Sequence, residues 1–514
     1  MTLRDRARRA SIMSTLLAAL AGAATAPAGA QTTAPAAPPG TAAARPPASA
    51  LAAVAPADSG PALAFADFAR QVLATHPVAR QARLGADQAR ADVLIARGAF
   101  DPTLTATLDQ KTYNGSQYYN YATAEAKLPI PYVGSDVKLS YERAVGQRIA
   151  ADRYTPRNGI FKLGFGVPLG QRVFTDERRA ALTQARALAE VAEGERQGAL
   201  NKLLFSAAKD YAAWYQADRV RGIAREGVEL AEFRLGAVRA RVQRGEAAPI
   251  DTVEARLEVQ RRTVARYEAD QAYYAAALDV SNYLWDDRAQ PLELAAGARP
   301  TARGLEVAPV DSAQLPGWLR AAAARHPEVV KAEAKVDQAA AGRALAQQAV
   351  IPFAELSLNS IAPQTNFPGL TQSSRFDRNY ALGGTFKTPL FFMKERGKLA
   401  QSDQKLESQR LEEARVRRSV ALDVRQAVND LSTLVAVVDL QRLAVAQARQ
   451  LLRGETRRFE QGESSLLYVN IRERYVLEAE QKLAELEAKY VGTRAGLAVA
   501  IGDPTSVAGL GAGR

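Results

Sequence analysis

Two stretches of this sequence decide how the chain is organised: HPVARQARLGADQARADVLIARGAFDP at residues 76–102 and HPEVVKAEAKVDQAAAGRALAQQAVIP at residues 326–352. Each begins with a His-Pro pair and ends at the next proline, and the stretches lie 250 residues apart. Further along, the halves align at an offset of 217 residues, which places Gly245 opposite Gly462, so the first half carries 33 additional residues between Pro102 and Gly245. Prolines and glycines that recur at a fixed offset predict an internal duplication, and that duplication decides the architecture.

The periodicity of each half predicts helices on both sides of a strand region. Proline after the histidine is placed at the first helical position, where its missing N–H costs nothing. Period-two alternation predicts strands within residues 103–169 and 353–390. Helices are predicted at residues 62–75, 76–99, 176–243 and 250–285 in the first half, and at 314–325, 326–350, 393–460 and 466–501 in the second.

The longest helix of the second half carries an apolar heptad pattern. Its residues Val420, Val424, Ala427, Leu431, Leu434 and Val438 match Val476, Ala479, Leu483, Leu486 and Tyr490 on the last helix. Spacings that alternate between three and four residues predict the seam of an antiparallel coiled coil. A helix of this length, ~100 Å at 1.5 Å per residue, can be flanked by two shorter helices stacked end to end. The break at Gly462 is then one tip of a rod, and the strands lie at its other end.

The ends of the chain predict export. Residues 1–30 combine arginines, an apolar run and the small residues Ala28-Gly29-Ala30, which is typical of a cleaved secretory signal. Residues 31–60, rich in Ala and Pro, are predicted to form a flexible linker. We assign residues 61–300 to the first repeat, 301–503 to the second and 504–514 to a short tail.

The composition argues against several classes of protein. The chain has no cysteine, which excludes disulfides, thiolate metal sites and a lipid-accepting cysteine. After the signal we find no apolar run near the roughly 20 residues that a membrane-spanning helix needs, so membrane entry would require a β-barrel. The net charge is +12, but basic and acidic residues alternate along the helices, which does not favour nucleic-acid binding. Only two histidines are present, each before a proline, and we expect no catalytic constellation, metal site or cofactor.

The strand regions need partners. An isolated two-stranded hairpin is marginally stable, whereas several chains can close a barrel and remove the exposed strand edges. Aromatic residues are dense here, and they indicate either a girdle at a membrane interface or ordinary strand packing. They include Tyr113, Tyr118, Tyr119, Tyr121, Tyr132, Tyr141 and Tyr154 in the first half and Phe376 and Tyr380 in the second.

In this organisation the chain resembles the TolC-like outer membrane efflux family. The resemblance rests on the duplicated order of helices and strands, on the strand exits Val167-Pro168-Leu169 and Thr388-Pro389-Leu390, and on the tips at Gly245 and Gly462. It implies an α+β membrane protein, a homotrimer with about 12 barrel strands, four per subunit, in the outer membrane of a Gram-negative bacterium. The barrel would continue into a coiled-coil periplasmic tunnel. The tunnel would dock an inner-membrane pump through a periplasmic adaptor protein, as the passive exit duct of tripartite efflux or type I secretion.

The resemblance also implies that the hairpin tips dock the adaptor and gate the tunnel. The family's Gly-x-x-x-x-x-Asp tip is kept from Gly245 to Asp251, whereas the second tip has Tyr468 at the aspartate position, Ile471 three residues later and Ser464 in place of an arginine. Closure would then use Tyr468 rings or pairs among neighbouring charges, unless those charges only form solvated helix starts. The tip residues are Gly245, Glu246, Asp251, Gly462, Glu463, Tyr468, Arg472 and Glu473.

Two alternatives remain open at this level. The run from Lys127 to Ser135 is predicted to be a tight turn, and the additional hairpin it implies is either an extracellular loop or an enlargement of the barrel. A periplasmic adaptor or scaffold would also use long coiled coils, although adaptors usually have a single helical hairpin. A channel requires an apolar band that faces lipid, and an adaptor does not.

Overall fold

The computed structural model describes residues 60–132, 134–302, 305–363 and 379–503. The signal, the tail, Phe376 and all of the linker except Gly60 lie outside the described residues, so these predictions stay predictions.

The same order of elements occurs in both halves of the described chain, apart from the number of strands. The first half contains β1 (Ala62–Leu63), α1 (Phe65–Thr75), α2 (Pro77–Gly98), β2 (Thr103–Tyr113), β3 (Ser116–Pro129), β4 (Asp136–Val145), β5 (Ile160–Pro168), α3 (Glu177–Gln243) and α4 (Pro249–Ser281). The second contains β6 (Arg299–Pro300), α5 (Leu315–Arg325), α6 (Pro327–Ala349), β7 (Phe353–Pro363), β8 (Tyr380–Lys387), α7 (Met393–Glu460) and α8 (Leu466–Ile501).

The long helices are arranged in four adjacent columns. Helix α3 packs against α2 and α4 on one side and against α6 and α8 on the other, and α7 packs against α6 and α8. Two of the columns consist of shorter helices that meet end to end. Arg80 at the start of α2 donates to the carbonyl of Asp287 beyond α4, and His326 before α6 lies against Gly502 after α8. Each long helix is thus flanked by shorter helices stacked end to end, as predicted.

The main core lies around the middle of α3. Tyr211 and Trp214 are fully buried there, and Phe65 and Phe68 of α1 pack their rings against Tyr211. Leu431 of α7 belongs to the same apolar cluster. Burying side chains of this size stabilises the fold by about 1.5–3 kcal/mol each.

The predicted seam is buried except at Ala427, Ala479 and Leu483, which are half-buried. Its partners differ along its length. Leu431, Leu434 and Val438 share a cluster with Leu486 and Tyr490 of α8, whereas Val420 and Val424 pack with Ala322 of α5 and Val329 of α6. The predicted partner residues of α8 therefore meet α7 over only part of the predicted seam.

One antiparallel sheet contains six strands in the order β2-β3-β4-β5-β7-β8. Among the described residues the sheet therefore has two strands more than the four per subunit that the resemblance implies, and the number of barrel strands stays a prediction. The reason lies in residues 116–145, which form the additional strands β3 and β4 around the predicted turn, and these strands pair with each other and with both neighbours.

Helix α7 also corrects the expectation that no apolar run approaches membrane-spanning length. It contains an 18-residue window with a mean hydropathy of 1.3, which suffices to cross a membrane by length and composition alone. Only 22% of that window is buried. Helix α7 has apolar residues on a second face besides the seam, including Leu440 and Leu443, and together these faces raise its hydropathy.

Candidate functional site

The sheet has one apolar face that crosses all six strands. Successive side chains alternate between the faces of a strand, so the register of each pair determines which residues share a face. Large members of the apolar face are exposed, including Leu104 on the edge strand β2 at 79% and Phe386 on β8 at 70%. The apolar residues of this face include Leu104, Ala106, Leu108, Ala122, Ala124, Ala126, Leu128, Val137, Leu139, Tyr141, Phe161, Leu163, Phe165, Val167, Ala354, Leu356, Leu358, Leu382 and Phe386.

The opposite face is polar and carries both signs of charge. Lys162 Nζ lies 2.5 Å from Glu142 Oε2, and Lys127 Nζ lies 3.0 Å from Asp136 Oδ2. A sheet with one apolar and one polar face matches the wall of a membrane barrel, in which lipid-facing and lumen-facing residues alternate.

The aromatic residues divide between the two interpretations. Tyr119 and Tyr121 stack at 4.7 Å on the polar face, and Tyr141 packs 5.1 Å from Phe161, so ordinary strand packing accounts for these three. Tyr132, by contrast, is 86% exposed in the β3–β4 turn. Exposed apolar residues also collect where strands pass into helices, as a girdle would require; they are Leu169, Phe174, Leu390, Phe391 and Met393.

The two hairpin tips share one backbone geometry. Gly245 and Gly462 have φ values of +77° and +78°, in the left-handed region that favours glycine. The N–H of Glu246 donates to Arg241 O and that of Glu463 to Arg458 O, both at 2.9 Å. These bonds close the helix ends as in a Schellman motif.

The charged tip residues do not pair with one another. Glu246 pairs with Arg244 at 2.7 Å, and this guanidinium lowers the pKa of the Glu246 carboxyl. Arg472 lies 3.7 Å from Glu455 of α7. Within one copy Glu246 and Arg472 pair inside their own hairpins and Glu473 pairs with another helix, so the hypothesis of pairs among Glu246, Glu463, Arg472 and Glu473 stays a prediction for contacts between copies.

The remaining tip residues lie at the helix starts. The N–H of Asp251 donates to Ala248 O at 3.0 Å in the first turn of α4. Tyr468 occupies the corresponding turn of α8 and is 55% exposed. Glu463 is also exposed. Tyr468 and Glu463 are therefore available to another molecule or another copy of the chain, whereas Asp251 is half-buried.

A buried ion pair that the sequence analysis missed joins the two hairpins. Arg234 Nη1 of α3 lies 2.6 Å from Glu473 Oε2 of α8, and a second guanidinium nitrogen contacts the other carboxylate oxygen. Arg234 also donates to Asn470 Oδ1 at 3.0 Å. Glu473 is only 5% exposed, so removing Arg234 would leave a buried carboxylate without its guanidinium partner.

Apolar and cation–π contacts support the same junction. Leu235 and Val238 of α3, Ala255 of α4 and Leu466 of α8 form a small buried cluster. The guanidinium of Arg241 lies 5.1 Å from the ring centroid of Phe459 on α7. All four tip helices therefore meet near the tips.

The two histidines cap helices. Nδ1 of His76 accepts from Val78 N, and Nδ1 of His326 accepts from Glu328 N, both at 3.2 Å. Burial lowers the pKa of both imidazoles. Across the described ranges, no group of three His, Cys, Asp or Glu side chains is arranged to hold a metal ion.

Comparisons with known proteins agree with this geometry. Residues 318–503 match the family model "Outer membrane efflux protein". Protein CyaE of Bordetella pertussis is 29% identical over 252 residues, an alignment that covers 47% of this chain and 50% of CyaE. The chain thus aligns with about half the length of this curated relative.

Solved structures extend the likeness over most of the chain. The open-state MtrE outer membrane channel of Neisseria gonorrhoeae has a TM-score of 0.59 at 17% identity, covering 86% of this chain and 89% of MtrE. The outer membrane protein VceC of Vibrio cholerae has a TM-score of 0.57 at 17% identity, covering 85% and 96%. The CmeC outer membrane channel of Campylobacter jejuni has a TM-score of 0.56 at 12% identity, covering 85% of each chain. Residues 318–503 therefore match an outer membrane efflux protein domain, and the chain as a whole has the fold of these outer-membrane channels.

Proposed function

We propose that this protein is the outer-membrane exit duct of a tripartite efflux or type I secretion system. Three copies close the sheets into a barrel and the helix columns into a periplasmic tunnel, through which cargo from an inner-membrane pump passes passively. The observation that carries the proposal is the apolar face across every strand of the sheet, joined to helices ~100 Å long.

The two edges of the protomer support closure with neighbouring copies. Strand β2 and the α2/α4 column lie at one edge, and β8 and α7 lie at the other. Exposed apolar residues on α4 keep heptad spacing, which predicts a seam for a further helix. They are Ile250, Val253, Leu257, Val264, Tyr267, Tyr274 and Leu278.

Helix α7 presents a matching apolar surface at the opposite edge through Leu440, Leu443 and Leu451. Head-to-tail repetition would pair α7 of one copy with α4 of the next and β8 with β2. Such contacts generate a ring when the rotation closes, and a closed ring leaves no free strand edge. The number of copies in this proposal comes from the family resemblance.

The tips complete the proposal as the gate and the docking end for a periplasmic adaptor. Exposed groups such as Tyr468 and Glu463 are available to an adaptor, while the pair between Arg234 and Glu473 couples the two hairpins of one copy. Opening the tunnel would require the hairpins to move apart, and that movement would break this buried pair. We therefore assign the Arg234–Glu473 pair a gating role.

The test combines mass and conductance. The protein is extracted in mild detergent, its oligomeric mass is measured, and single-channel conductance is recorded in a planar bilayer. We expect a trimer that conducts, and a stable monomer that dissolves without detergent would instead support the adaptor alternative.

Arg234→Met should raise the open probability because it leaves Glu473 unpaired. Arg239→Met, the same substitution at an exposed position of α3, should behave like the parent. Equal behaviour of the two variants would contradict the gating role.

A further inference from the structure

The additional residues of the first half coincide with one hairpin of the sheet. The 250-residue offset holds over the whole of β2 (Thr103–Tyr113) and β7 (Phe353–Pro363), and the ends of α3 and α7 differ by 217 residues. Strands β3 and β4 occupy the interval in which the offset changes. The hairpin is therefore a discrete addition to a plan that both halves otherwise share.

This hairpin has the same two faces as the rest of the sheet. Leu128 pairs with Val137 and Ala126 with Leu139 on the apolar face, in register with Leu163 of β5. Lys138 and Glu125 lie on the polar face. The strands contain 14 and 10 residues, and both are long enough for the 9–11 residues that a tilted strand needs to cross a bilayer.

The turn between β3 and β4 lies at the helical end of the sheet. Arg179 Nη1 of α3 donates to Tyr132 O at 3.2 Å, and Arg178 Nη1 lies 2.9 Å from Asp136 Oδ1. Gly134 has a φ of +63°, and a Cβ there would lie 2.5 Å from Arg172 O, so the turn fits closely against the residues before α3. The hairpin thus spans the height of the sheet and returns to the helices, which an extracellular loop would not do.

We propose that β3 and β4 are membrane-spanning strands whose apolar face contacts lipid acyl chains. Each subunit then contributes six strands, and a ring of three has 18. This inference rests on the proposed trimeric channel. With strands about 4.8 Å apart and tilted by about 40°, a 12-stranded barrel is about 24 Å across between backbones, and an 18-stranded barrel is about 36 Å. The outer exit of this protein therefore admits cargo of larger cross-section than a four-strand subunit would allow.

Lipid contact can be measured with single cysteines, since the chain has none of its own. Leu139→Cys and Ser140→Cys place a fluorophore on the two faces of β4, and Leu358→Cys and Ser357→Cys do the same on β7. Each labelled protein is reconstituted into phosphatidylcholine vesicles with and without nitroxide-labelled lipid. We expect the labels at positions 139 and 358 to be quenched to within twofold of each other, and the labels at 140 and 357 to keep their fluorescence.

The outcomes distinguish failure of the membrane-spanning hairpin from failure of the proposed channel. Quenching at position 358 without quenching at 139 would overturn the membrane-spanning hairpin and leave the channel intact. Absence of quenching at both positions would overturn the channel itself.

Deleting Asn114–Val145 tests the width of the barrel. Strands β2 and β4 run in the same direction, so β2 can take the place of β4 beside β5, joined through residues 146–159. The deletion variant should still trimerise. Polyethylene glycols added on the extracellular side of a planar bilayer report the bore as the largest polymer that enters and lowers conductance. We expect the limiting polymer diameter to fall by about one third, and an unchanged limit would contradict the 18-stranded barrel.

Discussion

Helices α3 and α7 have nearly the same length, 67 and 68 residues, but very different burial. Twenty-two residues of α3 are buried in the protomer, among them Tyr211 and Trp214, whereas only eight residues of α7 are. The reason is their position, because α3 has a column of helices on each side and α7 has one on a single side. Leu440 and Leu443 of α7 face the open side at 67% and 60% exposure.

This difference separates the residues that stabilise a single copy from the residues that we propose to join copies. Residues of α3 and the inner face of α7 determine the stability of the protomer, and the outer face of α7 is the surface that the proposed assembly leaves for the next copy. Monomers rarely expose large contiguous apolar patches without a partner. The following experiments test this division, beginning with the largest expected effect.

The largest effect is expected at the inner face of α7. Leu431→Asp places a carboxylate in the core at a residue that is 3% exposed, which costs several kcal/mol unless the group is neutralised or paired. The protomer should lose most of its cooperative unfolding transition in urea, and little protein should reach the outer membrane. The matched change Glu478→Gln, at an exposed residue of α8, should be nearly silent.

At the outer face of α7 we expect loss of assembly without loss of the fold. Leu440→Asp adds a charge that remains solvated in the protomer, so the helical circular dichroism signal should persist while the trimer dissociates in detergent. Leu440→Met keeps an apolar side chain of similar volume and should assemble normally. A trimer that survives Leu440→Asp would show that this face does not contact the neighbouring copy.

Acid should weaken the junction between α6 and α8 through His326. Burial lowers the folded-state pKa of this imidazole below its unfolded value, so its contribution to stability is present above the unfolded pKa and is lost as the pH falls through the folded pKa. Protonation also removes the Nδ1 acceptor for Glu328 N. We expect the urea midpoint to fall between about pH 7 and about pH 5.

His326→Asn keeps an acceptor at the helix N-cap and removes the titration. The fall of the urea midpoint with acid should therefore be shallower in this variant. An identical pH profile in parent and variant would rule out His326 as its source.

The smallest effects on stability are expected at the tips, where α3 and α7 end and α4 and α8 begin. Asp251→Ala and Tyr468→Ala change half-buried and exposed side chains, so stability should change by no more than about 0.5 kcal/mol. Single-channel recording should show altered conductance and, for Asp251→Ala, weaker block by multivalent cations. Gly462→Trp should instead reduce export, since a bulky residue at positive φ distorts the turn. If both alanine variants conduct like the parent and Gly462→Trp exports normally, the gate lies elsewhere.

The helices could be predicted from the sequence because local residues determine their ends. Proline after His76 and His326 begins a helix, and Gly245 and Gly462 end one, so these boundaries agree with the structure to within a residue or two. The number of strands was harder to predict. A tight turn at residues 130–135 has the same local sequence in an irregular loop and in a hairpin of the sheet, and only pairing with β2 and β5 distinguishes the two.

The tips likewise combine a feature that the local sequence predicts with one that it does not. The reversal at each glycine follows from local sequence, whereas Arg234 and Glu473 are 239 residues apart and become partners only when the hairpins pack. No spacing rule separates Arg234 from the other arginines of α3. The seam shows the same limit, since Val420 and Val424 fit the heptad yet pack against α5 and α6.

The short pairing of β1 with β6 has a consequence for the order of folding. Ala62 and Leu63 lie beside Arg299 and Pro300, and the Tyr211 hydroxyl, whose pKa burial raises to about 12, donates to Leu63 O at 2.7 Å. The first residues of the domain therefore have no strand partner until more than 200 further residues have emerged. Closing so long a loop is slow, and folding rates fall as contacts become less local. We expect β1 to dock late, so that the first element of the described domain to appear is among the last to acquire hydrogen-exchange protection.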